Sequence, residues 1–170
     1  MATYKITLEI EHLPEGPDLG ASPDLPGLIV QAETAEEVIR LAPDIAADVI
    51  QVMQEDHLVE KARETGEVLS DMLQELMVRH PSVGDVRSIG LFGVIELVRN
   101  RKTKEPMAPF NSSSPEMTAF RKFMLDHGVF VSIHWHTVLI IPPLIITPDQ
   151  LAQGFTVIDQ ALKITDAAAQ

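Results

Sequence analysis

The run Leu91-Phe92-Gly93-Val94-Ile95-Glu96-Leu97-Val98 is apolar apart from Glu96, and it constrains the fold of this chain more than any other feature. Its length and continuity read as a buried central strand. Val83-Gly84-Asp85-Val86-Arg87-Ser88-Ile89-Gly90 leads into it. Downstream, Val129, Val131 and Ile133 alternate as a strand, and Val138 to Ile141 form another, joined through His134-Trp135-His136-Thr137. Pro142-Pro143 then breaks the sheet.

Helical segments surround these strands. Leu58, Ala62, Thr65, Leu69, Met72, Leu76 and Met77 trace an amphipathic helix from about 57 to 79, stopped by His80-Pro81. Gly66 costs this helix roughly 1 kcal/mol relative to Ala, which points to close packing there. Ser114 caps a helix with Pro115 at its first position, Phe120 and Met124 face inward, and Gly128 closes its end. Thr147-Pro148-Asp149-Gln150 is a capping box, and Leu151, Phe155, Ile158 and Leu162 form the inner face of a final helix. Between the central strand and Ser114, Arg99 to Pro106 is a charged loop.

The first third of the chain has a different pattern. Tyr4, Ile6, Leu8 and Ile10 alternate with Lys5, Thr7, Glu9 and Glu11, the period of a strand with one buried face. Pro14, Gly16 and Pro17 end it. A second short strand includes Leu19 and Ala21, and Leu28-Ile29-Val30 is a third, after the turn Pro23-Asp24-Leu25-Pro26-Gly27. Thr34-Ala35-Glu36-Glu37 is a capping box for a helix with Val38, Leu41, Ile45, Val49 and Met53 on one face. Pro43 lies within it and is expected to kink or split it. No Gly/Ser-rich linker follows, so this helix is expected to run nearly into the next as a rigid joint.

Charge follows the same division. The whole chain carries −12. Residues 1–55 hold two bases and eleven acids, whereas residues 56–170 hold eleven bases and fourteen acids. Such a change suggests two modules, 1–55 and 56–170. The acidity argues against nucleic acid as a partner. No apolar run is long enough for a membrane span, and the N-terminus lacks the uninterrupted apolar stretch of a signal peptide. With no cysteine, disulfides and thiolate chemistry are excluded, and a cytoplasmic location is expected.

Two resemblances attach to these modules. The strand-strand-strand-helix order, with Pro-Asp-Leu-Pro-Gly-Leu before a capped helix, resembles the N-terminal domain of HicB-like antitoxins over about residues 4–53, most sharply from Pro23 to Glu37. That resemblance implies a small acidic domain that binds a basic, toxin-like ribonuclease. Many family members add a DNA-binding segment after this domain, and no basic segment of that kind follows here. Further along stand His80-Pro81-Ser82-Val83-Gly84-Asp85-Val86-Arg87, Gly90-Leu91-Phe92-Gly93-Val94-Ile95-Glu96-Leu97-Val98 and Pro142-Pro143-Leu144-Ile145-Ile146-Thr147. These words, over about residues 57–165, resemble the C-terminal small domain of class III aminotransferases, nearest the omega-amino-acid or 4-aminobutyrate group. The expected fold class is α+β: a β-β-β-α unit, then a helix, a small mainly antiparallel sheet and two further helices on one face.

The intact family implied by the second resemblance uses pyridoxal 5'-phosphate, held by a large domain that supplies the Schiff-base lysine. Between Met1 and Asp56 there is no room for that domain. Lys5 lies on an alternating strand, and Lys61, Lys102, Lys104, Lys122 and Lys163 fall on exposed helix or loop positions, whereas a catalytic lysine needs a desolvated pocket. The chain alone is therefore expected to bind no cofactor, to have no catalytic, cofactor-binding or metal residues, and to be inactive. It would be an orphaned small domain joined to an antitoxin-like unit, an antitoxin with a passenger, or the small-domain subunit of a split enzyme. Its partners would be a basic protein or a separate large domain. Loss of the large domain should leave apolar faces uncovered, such as that of the 57–79 helix, so a homo-oligomer is expected.

Relatives in the resembled family place a carboxylate-clamping arginine where Leu139 stands here, so that capture is expected to be lost or moved. Arg87 matches a family arginine and is expected to pair with Asp85 or a loop carbonyl. His134 and His136, two apart on a strand, would share a face, but no third ligand lies at metal spacing. Asp85 and Glu96 read as one turn acid and one half-buried, ion-paired acid. Ser112-Ser113-Ser114 reads as a loop and helix cap without a base to activate a nucleophile. Gly84, Gly90 and Gly93 precede no helix start and form no phosphate loop.

Overall fold

The computed structural model describes residues 5–14 and 16–170, which divide into two units, Met1–Leu58 and Val59–Gln170. Tyr4, at the start of the first expected strand, lies outside the described residues.

In the first unit, β1 (Glu9–His12), β2 (Asp18–Ala21) and β3 (Ile29–Ala32) form an antiparallel sheet in that order, followed by α1 (Ala35–Glu55). Leu25, Leu28, Val30, Val38, Ala42 and Ala46 make its core. Glycine at position 20 lets helix meet sheet: a Cβ there would lie 2.4 Å from Cγ1 of Val38. Thr34 caps α1 by accepting from the Glu37 N–H at 3.3 Å. Glu37 pairs with Arg40 at 3.1 Å, so only half of the expected capping box is seen.

Pro43 neither splits nor ends α1, which runs through it as one helix. Proline removes one helical N–H donor, to Ile39. Both Pro43 and Ile39 are exposed, so water can serve the carbonyl left without that donor. Only two residues separate α1 from the next helix, so the two run nearly into each other along the chain, as expected. α1 ends at Glu55, His57 takes a left-handed φ of 51°, and α2 (Leu58–Arg79) starts anew.

The second unit contains β4 (Val83–Ile89), β5 (Phe92–Asn100), β6 (Glu105–Pro106), α3 (Pro115–Asp126), β7 (Ser132–His134), β8 (Thr137–Ile140) and α4 (Pro148–Asp166). The sheet is antiparallel in the order β4-β5-β8-β7, and β6 pairs with β5 off this path. Together the units give the mixed α and β architecture read from the sequence. The charged loop after β5 folds back as a turn whose end is β6.

β5 is central, but it is not buried on both faces. Gly93, Ile95 and Leu97 are buried, while Val94 and Glu96 on the opposite face are only half-buried. The apolar face of α2 is not left open either. Leu69, Leu73 and Leu76 are buried in one core with Ile95, Val138, Phe120 and Leu162. Gly66 has the close approach its position suggests: a Cβ there would lie 2.5 Å from the Cα of Gly90. Gly90 itself turns the β4–β5 hairpin at φ 50°. β7 is shorter than the alternation of Val129, Val131 and Ile133 suggests, because Val129–Val131 has no ladder partner.

Candidate functional site

Strand alternation sorts the residues of the main sheet into two faces. On the inner face Val86, Ile95, Val138 and Ile133 follow one another across the four strands, all buried. On the outer face Arg87, Val94, Leu139 and Ser132 form the neighbouring row, and Asp85, Glu96, Thr137 and His134 the next. Ile89, opposite Phe92, is 80% exposed and Phe92 is 41% exposed. The outer face is therefore partly open to solvent, most of all at Ile89 and Phe92 and least at the buried Val98, while the inner face is covered along this row.

Arg87 organises this open face. Its Nε lies 3.5 Å from Asp85 and its Nη2 donates to Glu96, the residue opposite Asp85 and thus diagonal to Arg87 on the β4–β5 ladder. The expected pairing with Asp85 is present, and Glu96, read as half-buried and ion-paired, is its second partner. Asp85 lies within β4 and not in a turn. Leu139 sits between Val94 and Ser132, half-buried, on the same face.

The hairpin tip separates two residues that a regular strand would align. β7 ends at His134 and β8 begins at Thr137, with Trp135 left-handed at φ 56°. His134 is not on a continuous strand with His136, so the shared-face premise fails. His134 Nε2 lies 3.2 Å from the Ser132 hydroxyl, and Trp135 packs on Phe110 with ring centroids 4.3 Å apart. The buried Nδ1 of His136 has no hydrogen-bond partner. Among the described residues no group of three or more His, Cys, Asp or Glu side chains could hold a metal. Ser114 is the cap of α3, accepting from the Met117 N–H at 3.2 Å, and the Ser113 hydroxyl meets that of Thr118.

A phosphorylated aldehyde cofactor needs an amine in a desolvated pocket and donors for its phosphate. Lys5, Lys61, Lys102, Lys104, Lys122 and Lys163 are all exposed. Lys122 is spent in an ion pair with Asp126 at 2.6 Å. A groove of about 570 Å³ runs between the end of α3, β8 and the start of α4, walled by Phe130, Ile140, Pro142, Ile146 and Phe155, with no lysine or arginine in its lining. The residues present do not fit such a group, and no chemical step through it follows from them.

The most elaborate polar cluster is one that the sequence reading passed over. His80, buried, stops α2 and sends Nε2 to Asp159 at 2.9 Å and Nδ1 to Asp166 at 2.6 Å. Carboxylates only accept, so both bonds form together when each ring nitrogen carries a proton. Arg79 also donates to Asp159. The hydrogen bond from His80, and then the charges of Arg79, His80 and Lys163, hold the Asp159 carboxyl below its ordinary value against the opposing effect of burial. Ser82 donates to Asp166 at 2.7 Å and its hydroxyl meets that of Thr165 at 2.8 Å. Arg101 donates to the Val83 carbonyl at 2.9 Å and to those of Met77 and His80. This cluster fastens the end of α2, the start of β4 and α4 together, a structural task.

The profile of the class III aminotransferases matches residues 40–162. This chain belongs to that family. The class III match begins inside α1 and leaves residues 1–39 outside it. An uncharacterised aminotransferase of Schizosaccharomyces pombe is 35% identical over 136 residues, 75% of this chain and 29% of the relative. Putrescine–pyruvate aminotransferase of Pseudomonas aeruginosa is 33% identical over 129 residues, 75% of this chain and 27% of the relative. The solved omega transaminase of Pseudomonas jessenii in complex with PMP matches with a TM-score of 0.64 and 27% identity, over 74% of this chain and 27% of that one. The taurine:2-oxoglutarate aminotransferase of Bifidobacterium kashiwanohense, in complex with PLP and glutamate, shares the fold with a TM-score of 0.69 at 24% identity, over 82% and 34%. The class III segment thus spans about a quarter to a third of the length of these relatives. Among the described residues no helix is long and apolar enough to cross a membrane.

Proposed function

We propose that Val59–Gln170 is the small lobe of a class III aminotransferase, inactive by itself, whose open sheet face packs against a separate cofactor-bearing lobe. The observation that carries this reading is the asymmetry of the sheet. Its inner face lies in a core shared with α2, α3 and α4, and its outer face presents Arg87, Glu96, Val94 and Leu139 to solvent or half-burial. The exposure of all six lysines supports the absence of autonomous chemistry. A lobe supplied by another chain would make this the small-domain subunit of a split enzyme. Leu139 offers no bidentate donor, so a substrate carboxylate would be held by other residues. Without its lobe, the open face would pair copies of this chain, giving a homo-oligomer.

The purified chain, incubated with pyridoxal 5'-phosphate, an omega-amino donor and a keto-acid acceptor, should show no amino transfer above the protein-free rate. Amino transfer by the chain alone would refute the proposal. Light scattering should read a mass above 18.7 kDa, and a monomer would contradict self-association.

A second reading concerns Met1–Leu58 and is favoured by charge. Eleven acids against two bases within residues 1–55 suit an antitoxin-like, HicB-like domain that binds a basic, toxin-like protein, because complementary charge steers encounter. The β-β-β-α element order is consistent with it. Binding of cationic but not anionic proteins by the full chain, weakened by salt, would support it.

A further inference from the structure

The core of the first unit leaves part of α1 unspent. The helix buries Val38, Ala42 and Ala46. At 100° per residue, Ile39, Pro43, Ala47 and Ile50 form a second apolar stripe beside the buried one. This stripe is open: Ile39 is 57% exposed, and Pro43 and Ala47 are exposed. With Ile6, Leu8 and Leu28 it walls a groove of about 470 Å³. From Ile39 to Ile50 the stripe runs roughly 16 Å, three helical turns.

The charge beside the groove is predominantly acidic. Glu36, Asp44 and Asp48 flank the stripe on the exposed side of α1. Arg40 is the one base of α1, and Glu37 already engages it at 3.1 Å. Two copies of so acidic a unit would repel each other, whereas a cationic partner would be drawn in. An amphipathic helix with apolar residues at i, i+3, i+4 and i+7 and basic flanks matches both the length and the charge.

We propose that this groove docks a cationic amphipathic helix of a partner protein, apolar face against Ile39, Ala47 and Ile50, basic residues beside Glu36, Asp44 and Asp48. The proposal rests on reading the acidic unit as a binding module for a basic protein, and adds the place and the shape of the ligand.

The test uses the full chain and a labelled helical peptide of roughly 18 residues made of Leu and Lys in amphipathic order. Two controls are a scrambled peptide of the same composition and an amphipathic Leu/Glu peptide. Fluorescence anisotropy should show the Leu/Lys peptide binding about tenfold more tightly than the scrambled one, with no binding of the Leu/Glu peptide. Ile39→Asn, at an exposed site and without change of charge, should weaken binding about tenfold while leaving the thermal melt unchanged, as expected for loss of one buried aliphatic contact. Asp44→Asn with Asp48→Asn should weaken binding and flatten its salt dependence. Equal binding of the scrambled peptide, or indifference to Ile39→Asn, overturns the groove while leaving the charge reading intact. Failure of every cationic peptide to bind overturns both. A self-associated chain that Ile39→Asn turns monomeric gives the groove to a second copy and overturns the proposal.

Discussion

His80 Nε2 lies 2.9 Å from the Asp159 carboxylate, a side-chain bond across 79 residues that fastens the end of α2 to α4. Its energetic weight is testable. Asp159 is held below its ordinary carboxyl value, chiefly by the His80 hydrogen bond. A carboxylate whose folded value is depressed contributes stability that is present above the unfolded value, near 3.8, and lost as pH falls through the folded one. Asp159→Asn should therefore cost about 1.5–3 kcal/mol at pH 7, as for a charge-assisted hydrogen bond. Denaturation curves from pH 7 down to pH 3 should show the gap between wild type and variant closing below pH 3.8. A constant gap would mean that the ionised carboxylate is not what matters.

Gly66 faces Gly90 so closely that a Cβ would sit 2.5 Å from its Cα. Helix propensity alone predicts that Gly66→Ala stabilises by about 1 kcal/mol. Overpacking against backbone should reverse the sign and give a net loss of about 1–3 kcal/mol by urea denaturation. A stabilised variant would show that the α2–hairpin contact is looser than described.

The two faces of β8 should respond differently to the same substitution. Leu139→Arg, on the open face beside Val94, should cost less than about 1.5 kcal/mol, since the guanidinium can reach water. Val138→Arg places a charge where exposure is 0% and should unfold the chain. Comparable thermal melts for the two variants would contradict the assignment of an open outer face.

Arg87 and Glu96 are both partly solvated, at 59% and 33% side-chain exposure. A double-mutant cycle between them should give a coupling of about 0.2–1 kcal/mol that fades with added salt. A larger coupling insensitive to salt would mean that another part of the molecule shields this face.

Local chemistry made much of this architecture legible. Thr34, Ser114 and Thr147 cap the helices their patterns indicate, and Thr147 with Gln150 completes a reciprocal capping box. Gly128 closes α3 at φ 75°, and His80-Pro81 ends α2. What misled was information that only packing supplies. Pro43 signals a break, but its exposed position makes the lost donor tolerable. The apolar run around Ile95 cannot say that only one of its faces meets helices, because Phe92 and Val94 on the other face are apolar too. His134 and His136 have strand spacing, and the left-handed Trp135 between them undoes it. The His80 cluster joins residues from three distant segments, and its only sequence trace was the His80-Pro81 word, read as a helix stop.

The most direct test of the account is borohydride trapping of the purified chain after titration with pyridoxal 5'-phosphate, read by absorbance and by mass. The account predicts no saturable absorbance change and no stoichiometric reduced adduct on any of the six lysines. A single lysine trapped at one equivalent would contradict it.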